Sequence, residues 1–153
     1  MAGSDNPAVP REKLDLLYSA ALEAAGALLE KNGEFFPILF ELRPGGEITS
    51  VAVLDMRERP PSQDLIDNYV ELMRGRASAG QIMGCAIALD TSFRATAGEP
   101  KRDAVQVQVR AQGFARNILV PYVLTSSGFL RKKRQLTIEE PRAQAAANDV
   151  FGD

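Results

Sequence analysis

Histidine is absent from the 153 residues, and with it the commonest general base and the commonest transition-metal ligand among side chains. A Ser-His-Asp or Cys-His nucleophile and a histidine-based zinc site are thereby excluded. The single cysteine, Cys85, excludes an intramolecular disulfide and a cysteine-rich zinc or iron-sulfur site within one chain. Neither GxxxxGK[ST] nor GxGxxG follows any strand-like run, so the common phosphate-cradling loops are missing. No apolar run approaches the roughly 20 residues that cross a bilayer, and the opening MAGSDNPAVPREK lacks the apolar core of a signal peptide. With the lone cysteine, this leads to the expectation of a reducing, cytoplasmic setting and no membrane partner.

What is present has the balance of an ordinary globular chain: 45% hydrophobic and 25% charged residues. A chain of this length suits one domain and buries roughly 70% of the surface its unfolded form exposes, so no metal or disulfide staple is needed. A formal net charge of -2 supplies no global attraction to nucleic acid, and any such binding would need a local basic patch.

Residues 1–10 lack periodicity and read as a flexible leader. From there Leu14, Leu17, Tyr18, Ala21, Ala25 and Leu28 recur at one-face helical spacing. Ala20, Ala24 and Ala27 make a neighbouring face of small side chains, suited to close packing on the sheet or on a second copy. Asn32-Gly33 ends the helix, and Lys31 suits the negative end of its dipole. Phe35 to Leu42 and Glu47 to Met56 read as a hairpin around RPGGE, with Pro37 predicting an edge position or a bulge for the first strand. A second helix is expected from Ser62 to about residue 78, ended by Gly80. QIMGCAIALD reads as a central strand covered on both faces. DAVQVQVR alternates valine with Gln106, Gln108 and Arg110, which predicts one face in water, and a turn at Gln112-Gly113 returns the chain through ARNILVPYVLT. Gly128 to Ile138 is compatible with an added edge strand; residues 139–153 form a tail of unassigned structure. The reading is a single α/β (α+β) domain over 11–138, with a mainly antiparallel sheet of five or six strands and two packed helices, in the order α-β-β-α-β-β-β.

Carboxylates with arginines remain for chemistry. Asp55 and Asp90 fall near two predicted strand ends, with Arg57, Glu58 and Arg94 nearby, and such a pair could hold a divalent ion or divide acid and base roles. The competing reading is solvated loop charge. Cys85 sits among apolar neighbours, the setting of a buried thiol. Ser126-Ser127-Gly128 with Lys132 nearby is explained by turn preference. The run Arg131, Lys132, Lys133, Arg134 could contact phosphates, with Tyr122 and Phe129 for stacking. However, Glu139 and Glu140 follow closely, and sheet edges carry cations to deter aggregation.

The run ALEAAGALLEKNGEFFP, with its GEFFP entry from Gly33 to Pro37, resembles a group of small uncharacterised bacterial proteins with a long N-terminal helix, a Gly-x-Phe-x-Pro-like entry to the first strand and a later apolar strand. The resemblance spans about residues 14–124 and implies no activity. The element order also looks like that of roadblock/longin-like and profilin-like domains, which serve as interaction platforms. The function expected is therefore a non-enzymatic binding or regulatory domain acting by protein-protein contact, with no cofactor and no metal. Its contacts would be Arg131, Lys132, Lys133 and Arg134 and the polar face Gln106, Gln108 and Arg110, or, in a homodimer, Ala20, Ala24 and Ala27. The alternatives are a small-molecule or divalent-metal enzyme using Asp55 and Asp90, and a toxin-neutralising or phage-associated accessory protein.

Overall fold

A computed structural model describes residues 9–52, 61–128 and 133–152. Helix α1 runs Arg11–Asn32. The Pro10 carbonyl accepts the N–H groups of Lys13 at 2.9 Å and Leu14 at 3.2 Å, closing the first turn. It ends at Gly33, whose φ of 81° is the left-handed geometry that glycine adopts without a Cβ clash. Helix α2 runs Ser62–Ser78; Pro61 is its N-cap residue and Ser62 its first helical one.

The strands are β1 Ile38–Leu42, β2 Ile48–Val51, β3 Gly84–Phe93, β4 Arg102–Ala111, β5 Phe114–Ser127, β6 Lys133–Ile138 and β7 Arg142–Ala145. All pairings are antiparallel, in the order β2-β1-β3-β4-β5-β6, with β7 also on β5. Among the described residues the sheet thus has seven strands, where five or six are expected from the sequence. The difference lies in the segment left unassigned by sequence: β7 pairs with β5, and Val150 is buried against the α2 side of the core.

Alternation along β1 and β3 divides the interior in two. Leu42, Ala86 and Ala88 join Leu14, Leu17, Ala21, Ala25 and Leu29 of α1; Leu39, Cys85 and Ile87 join Leu65, Tyr69 and Met73 of α2. One helix therefore covers each face, and each fully buried leucine contributes about 1.5–3 kcal/mol. The sheet curls around α1, which touches β1, β3 and β4 and also the distant β6. Gly26 permits that last approach, since a Cβ there would lie 3.1 Å from Leu136 Cδ2.

The expected edge position of the first strand is corrected. Strand β1 lies between β2 and β3, and Pro37 causes no loss because it precedes the first paired residue. Its carbonyl accepts the Tyr69 hydroxyl at 2.8 Å, pinning α2 to the strand entrance.

The edges are β2 on one side and β6 with β7 on the other, β6 falling within the edge strand expected over Gly128 to Ile138. Tyr122 pairs with Ile138 and Leu119 with Arg142, so residues 139–141 oppose only 120 and 121. This is a one-residue bulge at the point where Pro121 has no N–H to offer. The Pro121 carbonyl still accepts the Glu139 N–H at 2.8 Å.

Candidate functional site

A groove of about 740 Å³ lies between α2 and the β4–β5 hairpin. One wall is a stripe of α2: Gln63, Ile66, Asp67, Val70, Glu71 and Arg74. The floor is Gln108, Arg110 and Asn117, and the far wall is Ala146, Ala147 and Asp149. The register places Asn117 directly opposite Gln108, because the tight turn at Gln112-Gly113 pairs residues symmetrically about it.

Arg110 is only 5% exposed. Its Nε donates to Asp149 Oδ1 at 2.8 Å, and its Nη1 donates to the carbonyls of Val109 at 3.1 Å and Arg116 at 3.0 Å. Gln108 Nε2 donates to Gln106 Oε1 at 3.0 Å, and both glutamines are half-buried. The expectation that this face lies in water is thus corrected: Asp149 reaches across Arg110, leaving a groove instead of an open surface. The Arg110 Nε and Nη1 groups are thus engaged within the chain itself.

Asn117 is the floor residue that sequence reading did not single out. Its Oδ1 is buried and accepts no hydrogen bond among the described residues. The signal available was the two-residue turn, which sets Asn117 beside Gln108 by counting. Asp149 offered no such signal, because its partner is remote in sequence and no turn joins them.

The remaining candidates are dispersed. Asp55, Arg57, Glu58, Phe129, Arg131 and Lys132 lie outside the described residues. Lys133 is exposed at the start of β6. Arg134 Nη1 donates to the Lys31 carbonyl at 3.0 Å, capping the negative end of α1. Ser126 and Ser127 are exposed in β5, paired through backbone with Arg134 and Lys133. Ala20 and Ala24 are half-buried and Ala27 exposed on the outer side of α1.

Asp90 accepts the Tyr122 hydroxyl at 2.8 Å and lines a separate concavity of about 620 Å³ with Phe35 and Phe36. Burial pushes its carboxyl up; the Tyr122 hydrogen bond opposes this, and the charges of Asp103 and Glu34 add to the rise. Cys85 is buried, and burial pushes its thiol up to about 12.

Glu41 is 2% exposed and is fully engaged by Arg76 Nη1, by Arg43 Nε at 3.1 Å and by Thr49 Oγ1 at 3.4 Å. Among the described residues no three His, Cys, Asp or Glu side chains gather as a metal site, and no helix is long and apolar enough to cross a membrane.

Fold and geometry together define an α+β domain: a seven-stranded antiparallel sheet between two helices, with a polar groove beside α2. Compared with family models, curated proteins and solved structures, the chain matches none.

Proposed function

We propose that the chain is a non-enzymatic binding domain acting through protein-protein contact, and that a partner's segment enters the groove between α2 and the β4–β5 hairpin. The observation that carries this reading is the buried, unaccepting Oδ1 of Asn117 on the groove floor. A buried acceptor without a donor costs about 1–3 kcal/mol, and a bound backbone N–H or side-chain donor recovers that cost. Asp67 and Glu71 on the α2 wall favour a segment that brings cationic or N–H donors. The small Ala146 and Ala147 on the opposite wall leave room for its backbone.

The test is quantitative capture on the immobilised full chain, comparing the wild type with Ala147→Trp and with Lys133→Ser. Ala147 is exposed, so the indole obstructs the groove without entering a core. Loss of the captured partner in Ala147→Trp, with retention in Lys133→Ser, is the expected result. Equal capture by Ala147→Trp rejects the groove, and loss in Lys133→Ser alone transfers the contact to the basic edge.

Self-association through α1 is the second reading, supported by Leu16, which is 54% exposed on the same side as Ala20, Ala24 and Ala27. Sedimentation of the wild type and of Leu16→Lys tests it. A dimer that becomes a monomer in the variant supports it, and a monomeric wild type refutes it.

A further inference from the structure

A second cavity, about 220 Å³ in volume, lies between the first turns of α1 and the β4–β5 hairpin. Its walls include Leu14, Val109 and Ile118, while Arg11, Asp15 and Arg116 stand around it. We propose that this cavity binds a small apolar monocarboxylate, with its ring or branched tail against the apolar wall and its carboxylate held by Arg11 and Arg116.

Size supports the body of the ligand. A cavity of about 150 Å³ accommodates benzene, so the larger volume takes a ring with a short tail whose head reaches the rim.

Charge supports the head. Arg11 and Arg116 both stand over the Phe114 ring, at 5.5 Å and 5.1 Å from its centroid, which holds two guanidinium groups on one side of the cavity. Among the described residues neither is consumed by a strong ion pair. Arg11 meets Asp15 at 3.7 Å with both side chains in solvent, an arrangement of little strength. Arg116 Nη1 donates to the carbonyl of its neighbour Ala115 at 2.8 Å, and a guanidinium has further N–H groups for a bidentate contact. Two arginines against one aspartate leave one net positive charge, which matches a monoanion.

Tyr18 adds an independent polar observation. It lines the same cavity, and its hydroxyl is buried with no hydrogen-bond partner among the described residues. Burial pushes its ionisation up, so the phenol keeps its proton at neutral pH and is a donor for a carboxylate oxygen.

The experiment titrates the full chain with 3-phenylpropionate and with uncharged 3-phenylpropanol, followed by amide chemical shifts and calorimetry. The expected result is saturable binding of the carboxylate with shifts at Val109, Phe114 and Ile118, and binding of the alcohol weaker by about tenfold or more. The double variant Arg11→Gln, Arg116→Gln alters two exposed side chains and is expected to reduce the carboxylate to the level of the alcohol. Ala143→Trp, at an exposed position lining the cavity, is expected to abolish both. Equal affinity for acid and alcohol, shifts centred on Asn117, or no saturable binding of either compound would each overturn the proposal.

Discussion

Arg110 and Asp149, 39 residues apart in sequence, are joined by a 2.8 Å contact from Nε to Oδ1. The Asp149 carbonyl meanwhile accepts Arg74 Nε of α2 at 2.9 Å, and Asn148 Nδ2 donates to the Ala111 carbonyl at 2.8 Å. The last residues of the fold are thus tied both to the sheet and to the second helix, and they form one wall of the groove.

Asp149→Ala leaves the Arg110 guanidinium buried with carbonyl partners only. A loss of about 1.5–3 kcal/mol is expected, the range for hydrogen bonds to charged groups, measured by urea unfolding. A change below about 0.5 kcal/mol, typical of an unremarkable surface position, would show that this pair does not hold the segment.

Two carboxylates should shape the pH dependence in opposite directions. Burial raises Asp90 above the unfolded value, so the folded state retains a proton that the unfolded chain has released. Stability from this group is full below the unfolded value, near pH 3.9, and falls as pH rises through the folded one. Asp90→Asn keeps an acceptor for Tyr122 and removes the charge, so it should melt higher than wild type at pH 7, with the gain vanishing near pH 4. For Glu41, burial pushes upward, but the hydrogen bonds and charges of Arg76 and Arg43 outweigh it and lower the carboxyl. Its contribution is present above the unfolded value and lost as pH falls through the folded one, so Glu41→Gln should flatten the acid limb of the stability curve. A steeper acid limb in that variant would contradict the pairing.

Gly26 is where Leu136 of β6 meets α1. Gly26→Leu has no space on that face and should destabilise by about 1–3 kcal/mol, the usual cost of overpacking. Amide exchange should show the loss concentrated in β6. Uniform loss across the sheet would mean that β6 does not yield independently.

Cys85 is expected to resist a disulfide-exchange reagent at pH 8 in the folded protein, because its thiol is buried and its ionisation is pushed up to about 12. Complete modification is expected in urea. Fast labelling without denaturant would show that the α2 side of the sheet opens readily.

Much of the architecture could be read from local pattern. The end of α1 at Gly33, the limits of α2 and the β4–β5 hairpin follow from helical spacing, from glycine and from strict alternation in DAVQVQVR, all short-range effects. The groove was legible only in part. That alternation picks out Gln108 and Arg110, but as a face in water. Arg110 is instead buried, because its covering residue Asp149 lies beyond the reach of any periodicity. The edge position or bulge expected of β1 fails for a related reason: Pro37 shows where a ladder donor is lost, yet not whether the ladder has begun.

Composition and spacing by themselves determined that this chain forms two amphipathic helices and a largely antiparallel sheet without histidine chemistry or a cysteine-rich metal site. Only the tertiary structure decided which helix covers which face, that β1 is interior, that Arg134 caps α1, and that Asn117 and Tyr18 carry buried polar atoms beside cavities. Periodicity reports which side of an element is apolar. What that side meets depends on contacts between residues distant in sequence, and local pattern does not encode those.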